Sequence, residues 1–164
     1  MKLSLLVLAM TSFISSMAQN DTCVFDLETQ TAEFMDRVPQ YHTFTWHDRT
    51  KLVSLRIRGG DSLYLHRGGC NHFSFWLQKV TKRRTRPASD TAHWISEAQW
   101  LVETFMDDAD QAIFRENIAG HSYEVIEIEN GVELMLNNHS YDSWWIRWTQ
   151  VENRSVVETG YRRT

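Results

Sequence analysis

Between residues 53 and 77 apolar and polar side chains alternate, and two glycine pairs interrupt the alternation. Val53, Leu55 and Ile57 alternate with Ser54, Arg56 and Arg58. Beyond Gly59-Gly60, Leu63 and Leu65 alternate with Ser62, Tyr64 and His66. Beyond Gly68-Gly69, Phe73, Phe75 and Leu77 alternate with His72, Ser74 and Trp76. Successive side chains of a strand point to opposite sides of a sheet, so this pattern requires half-buried antiparallel strands joined by hairpins. It is incompatible with a helix, whose apolar positions recur every three or four residues. Paired residues share a face, so the apolar sets must align. A loop of Gly59, Gly60 and Asp61 sets Ile57 against Leu63 and Leu55 against Leu65. It sets Arg58 against Ser62, Arg56 against Tyr64 and Ser54 against His66. Continuing the scheme around the second glycine pair sets His66 against His72, Tyr64 against Ser74 and Ser62 against Trp76.

The rest of the chain fits around this sheet. Thr43 to His47 reads as a preceding strand, and Thr31 to Met35 as one or two helical turns ended by Pro39. Lys79 to Arg86 is a basic run that reads as a solvated connector. Ser89 or Thr91 then caps a helix whose stripe is Trp94, Ile95, Ala98, Leu101, Val102 and Phe105. A second helix, from Asp108 to about Asn117, turns Ala109, Ala112 and Ile113 inward, and Gly120 closes the helical region. Strands follow at 125–128 and 132–136, joined by Glu129-Asn130-Gly131 with Gly131 left-handed, which pairs Ile128 with Val132 and Ile126 with Leu134. Trp144 to Val151 is another strand. Val156 and Val157 lie in a last one, beyond which Arg162-Arg163-Thr164 frays. The order of strands, two helices, then strands predicts an α+β domain. Its antiparallel sheet has six or seven strands, and two helices inserted between the strand groups pack on one face. A barrel or sandwich with a helical insertion is the competing architecture.

The N-terminus places Lys2 before the apolar run Leu3 to Met10 and small residues, Ser16 and Ala18, before a break. This three-part pattern predicts a signal peptide over residues 1–18 and an exported domain over 19–164, periplasmic or extracellular. No other stretch is long and apolar enough to span a bilayer. Seventeen basic against 21 acidic residues, a net charge of −4, argues against a general nucleic-acid binder. The two cysteines, Cys23 and Cys70, are expected to form a disulfide in an oxidising compartment. The alternative is a metal site of Cys70 and His72 helped by His66. Sequons stand at Asn20, Asn138 and Asn153.

Candidate binding residues come from the polar side of the first sheet: Arg56, Arg58, Tyr64, His66, His72 and Trp76. Arginines and large aromatics on a rigid sheet offer the contact area that protein interfaces use. Two other readings of this face are ordinary exposed decoration, and burial beneath the N-terminal segment tied down by Cys23. Of the seven tryptophans, Trp94, Trp144 and Trp148 belong to the core by parity, whereas Trp76, Trp100 and Trp145 do not. Catalytic signals are weak. There is no nucleophile elbow, zinc helix or phosphate loop, and no cofactor or metal is called for. Cys70 with His72 as base, and Glu127 opposite Glu133, are the remaining catalytic candidates. Charge is uneven: basic residues gather at Arg56, Arg58 and 79–86, acidic ones at 97–110 and 124–133.

These features predict a small non-catalytic exported protein, of envelope-inhibitor or immunity type, that recognises another exported or envelope protein. Two alternatives stand beside it. One is a secreted hydrolase, with or without a metal, centred on His66 and His72. The other is a glycan-binding module using exposed tryptophans.

Overall fold

A computed structural model describes residues 23–82, 86–137 and 142–163. The predicted signal segment, Asn20 and Asn138 lie outside the described residues. The α+β class and the single antiparallel sheet are as the sequence predicts, with eight strands rather than six or seven. They are β1 (Thr45–His47), β2 (Leu52–Arg56), β3 (Ser62–Gly68), β4 (Phe73–Thr81), β5 (Tyr123–Ile128), β6 (Gly131–Leu136), β7 (Asp142–Val151) and β8 (Arg154–Arg163). Their order across the sheet is β1-β2-β3-β4-β8-β7-β6-β5. Two meanders therefore run towards each other. The first ends at the centre in β4. Helices α1 (Thr91–Phe105) and α2 (Asp108–Ala119) then carry the chain to the far edge, and the second meander returns to lay β8 beside β4. Arg162 and Arg163 do not fray. They pair with Ser74 and Phe73 on one side and with Ser143 and Asp142 on the other.

Face membership in β2, β3 and β4 follows the sequence pattern, but the register does not. Ser54 pairs with Tyr64, Arg56 with Ser62 and Leu52 with His66. The ladder stops at Arg56, so the connection spans Ile57 to Asp61 and Arg58 sits in it. Gly59 and Gly60 both take positive φ (98° and 87°), and Ile57 N donates to Asp61 O at 3.0 Å. The turn is therefore centred on Gly59, one residue before the centre that the loop of Gly59, Gly60 and Asp61 implies. Across the next turn His66 pairs with Trp76, Tyr64 with Gln78 and Ser62 with Val80. His72 remains in the turn, so the expected His66–His72 pair is not made. In the third hairpin Asn130, not Gly131, is left-handed (φ 60°), and the loop has two residues. Ile126 therefore pairs with Glu133 and Glu127 with Val132. This one-residue difference puts Glu127 and Glu133 on opposite faces, which removes the carboxylate pair.

One face of the sheet is covered. Val53, Leu63, Leu65, Leu77, Leu134, Trp144, Ile146 and Trp148 are buried there with Trp94, Ala98, Leu101, Val102 and Phe105 of α1. Asp90 caps α1 by accepting from His93 N, and α1 packs on β4, β7 and β8. Two core indoles fix the approach to the helix: Trp94 Nε1 donates to Pro87 O at 3.0 Å and Trp148 Nε1 to Ala88 O at 2.8 Å. The basic run is not all connector. Lys79 lies on the covered side, with Nζ 2.5 Å from Glu97, 4.0 Å from Asp61 and 5.3 Å from the Trp100 ring centre. In α2 Asp110, Phe114 and Asn117 are buried and Ile113 packs half-buried against the core as expected, whereas Ala109 and Ala112 are exposed. Two of the three buried residues are polar, so hydropathy finds only part of the stripe.

The disulfide Cys23–Cys70 is formed and spans 47 residues. A loop of that length stabilises the fold by about 4 kcal/mol in the chain-entropy model. The N-terminal segment it anchors runs over the covered side. Phe25 contacts Phe73 at 5.7 Å, and Phe34, in the 3-10 helix Ala32–Arg37, meets Phe75 edge-on at 5.5 Å. Gln30 accepts from Gly69 N and donates to Gly69 O. The polar face of the sheet is therefore not covered by this segment.

Candidate functional site

The uncovered face is organised in rows that cross the sheet. One row runs Leu52, His66, Trp76, Gly160, Trp145, Met135 and Glu124, each paired with the next. His66 stacks on Trp76 with ring centres 5.3 Å apart and planes 17° from parallel. Gly160 separates the two tryptophans and is itself buried. A Cβ on it would lie 2.6 Å from Trp76 Cα and against Phe75 O, so only glycine permits this close approach of β8 to β4.

The adjacent row is polar: Ser54, Tyr64, Gln78, Glu158, Arg147 and Glu133. Its side chains hold one another. Glu158 accepts from Gln78 Nε2 at 3.0 Å and from Trp145 Nε1 at 3.1 Å, and Arg147 Nη1 lies 3.5 Å from it. Arg147 Nη2 also lies 2.5 Å from Glu133. Glu158 thus fixes Trp145 in orientation while leaving it only half-buried. Charge-assisted hydrogen bonds of this kind are stronger than neutral ones and restrict the rotamers they join. A set of fixed side chains loses little conformational entropy when a ligand docks.

The six residues singled out from the sequence divide into two ends of this face. His66 and Trp76 stand in the aromatic row, and His72 is exposed in the turn beyond it. Tyr64 lies in the polar row. Arg56 closes β2 at the opposite end, and Arg58 follows in the loop. Trp145, Glu158, Arg147 and Met135 belong to the same face but were missed as a group. Parity alone flagged Trp145. The pairing of β4 with β8, which joins residues 80 apart, has no local sequence signal.

His66 and His72 are not assembled into a metal centre. His66 Nδ1 faces Thr50 O at 3.0 Å and Nε2 faces Gly68 O at 3.2 Å, so both ring nitrogens are engaged by backbone carbonyls. Among the described residues no three His, Cys, Asp or Glu side chains gather to hold an ion. Cys70 is in the disulfide and is no free nucleophile. Comparison of the chain with protein-family models, with curated proteins and with solved structures finds no match. The functional reading of this face consequently rests on its geometry.

A second polar cluster lies on the covered side, beneath the start of α2. Asp110 is only 5% exposed. Burial pushes its carboxyl up to about 6, and the charge of Asp107 adds to this, against the opposing pull of Arg163 and a hydrogen bond with Tyr161. Tyr161 is raised in turn by burial and by the Asp110 charge. Arg163 lies 5.1 Å from the Tyr161 ring centre and donates to Asp142 at 3.2 Å. Arg67 sits among Phe34, Phe73 and Phe75, 5.5 to 6.0 Å from each ring centre. Each charge has a partner or an aromatic neighbour, and the cluster ties α2 and the N-terminal segment to the end of the sheet.

Proposed function

We propose that this is an exported, non-catalytic binding protein that recognises another exported or envelope protein through the open face of its sheet, as an inhibitor or immunity-type protein does. One observation carries the reading. Helices α1 and α2, the 3-10 helix Ala32–Arg37 and the N-terminal segment pack on the opposite face, while Trp76, Trp145, Tyr64 and His66 stand on the open one. Large aromatics held in place on an uncovered sheet are the residues that dominate binding energy in protein interfaces. The disulfide accords with an oxidising compartment, and no described helix is long and apolar enough to cross a membrane.

The test is affinity capture by the oxidised protein from the exported proteins of its source, with Arg56→Glu and Trp76→Ala in parallel. The proposal expects a protein retained by the parent and released by both variants, with the melting temperature of Arg56→Glu unchanged and Trp76→Ala still folded at the temperature of capture. Capture unaffected by either substitution would remove the sheet face from the account.

The aromatic row beside a polar row also favours a second reading, a glycan-binding module, because indole faces stack on sugar rings. Quenching of tryptophan emission by soluble glycans, lost in Trp145→Ala, is its expected signature. Unchanged emission across a glycan series would dispose of it.

A further inference from the structure

At the end of the open face opposite the histidines, Arg56, Lys82 and Arg154 surround a groove of about 380 Å³ whose other walls are Ser62, Tyr64 and Val80. Among the described residues no acidic side chain lines it. Three other cations of the sheet are matched, whereas Arg67 has only aromatic rings beside it and Arg162 has no carboxylate partner among the described residues. Lys79 lies against Glu97, Arg147 against Glu133 and Glu158, and Arg163 against Asp142. The three cations of the groove have no carboxylate partner among the described residues, and no hydrogen bond there engages the Ser62 or Tyr64 hydroxyl. Three like charges around one cleft repel one another and raise the local potential, which an anion relieves. The protein as a whole is acidic, at −4, so this is a local departure from its own charge balance.

The layout also sets the size of the anion. Arg56 ends β2 and Arg154 begins β8, and these strands are separated by β3 and β4. Three strand spacings amount to about 14 Å, the length of about four residues of extended chain at ~3.3 Å each. Backbones so far apart suit a ligand longer than a single phosphate or sulfate. A run of carboxylates along a peptide reaches the whole span, and the Ser62 and Tyr64 hydroxyls offer donors between the cations. From this geometry we infer that the groove is the docking site for an acidic segment, about four residues long, of the protein partner. The inference rests on the sheet-face reading above and names the chemistry of what binds there.

The experiment is calorimetric titration of the oxidised protein with a capped hexaglutamate peptide at about 20 mM salt. Hexalysine and inorganic phosphate serve as comparison probes. Lys82→Glu and Arg154→Glu each place an acid in the groove and lie outside the aromatic row. The expected result is binding of hexaglutamate alone, weakened about tenfold or more by either variant and by raising the salt to about 300 mM. No hexaglutamate binding, binding that both variants retain, or displacement of the peptide by an equal concentration of phosphate would each overturn the inference. Partner capture separates this failure from failure of the broader reading. If capture survives Arg154→Glu and is lost in Trp145→Ala, the sheet face stands and the acidic segment does not.

Discussion

Trp144 and Trp145 are neighbours in β7 and face opposite sides of the same sheet. Trp144 is fully enclosed, its ring centre 4.7 Å from that of Tyr161, and its Nε1 has no hydrogen-bond partner among the described residues. Trp145 is half-buried, and its Nε1 donates to Glu158. The enclosed indole is held by packing, at the cost of an unmet donor. The open one is held by a carboxylate while its ring stays accessible. On the covered face, then, shape does the holding. On the open face, polar side chains fix aromatic ones that no described element covers. That difference is the basis for assigning stability to one side and recognition to the other.

The comparison breaks most sharply by truncating each indole in turn. Trp144→Ala opens a cavity in the core and is expected to lower stability by about 3–5 kcal/mol, measured by denaturant unfolding. Trp145→Ala forfeits only part of a buried ring and is expected to cost about 1–2 kcal/mol. Equal losses at the two sites would erase the distinction between the faces.

Removing the disulfide tests the covered side from its edge. Cys70→Ser with Cys23→Ser frees the segment that carries Phe25, Gln30 and Phe34. The expected loss is up to about 4 kcal/mol. The environments of Trp76 and Trp145 should be retained below the transition, because this segment does not touch the open face. Altered open-face indole resonances in the folded variant would show the two sides to be coupled.

The pH dependence sharpens the comparison within the covered face. Asp110 titrates near 6 in the folded chain and near 3.8 when unfolded. The folded state therefore binds the extra proton between these values, and this group's contribution to stability falls as pH rises from about 4 to about 6. Asp110→Asn removes that dependence. It is expected to raise stability above pH 7 by up to about 3 kcal/mol, with the gain shrinking towards zero below pH 4. A gain independent of pH would assign the effect to packing. The smallest effect belongs to Trp145→Phe, which keeps an aromatic ring at the site and deletes the donor to Glu158. A stability change of about 1 kcal/mol is expected, read from the unfolding midpoint.

How much was legible follows from period and distance. The period of two assigned the faces of β2, β3 and β4 correctly, because a shift of an even number of residues preserves parity. For the same reason it could not fix register, and Trp76 met His66 rather than Ser62. The third hairpin slipped by one because Asn130 took the left-handed position assigned to Gly131, and that sent Glu127 and Glu133 to opposite faces. The stripe of α1 was legible since all six of its residues are apolar. That of α2 was legible only at Ile113, because Asp110 and Asn117 are buried beside Phe114 while Ala109 and Ala112 are exposed. The candidate site was half visible. Arg56, Tyr64, His66 and Trp76 lie within one meander and could be grouped by alternation. Trp145, Glu158 and Arg154 joined them only through the pairing of β4 with β8 and β8 with β7.

The central claim, recognition by the open face, is tested most directly by the tryptophan indole N–H resonances of the ¹⁵N-labelled protein as the captured partner is added. The account predicts that Trp76 and Trp145 shift or broaden while Trp94, Trp144 and Trp148 stay in place. Binding that leaves Trp76 and Trp145 unmoved and perturbs indoles of the covered face would contradict it.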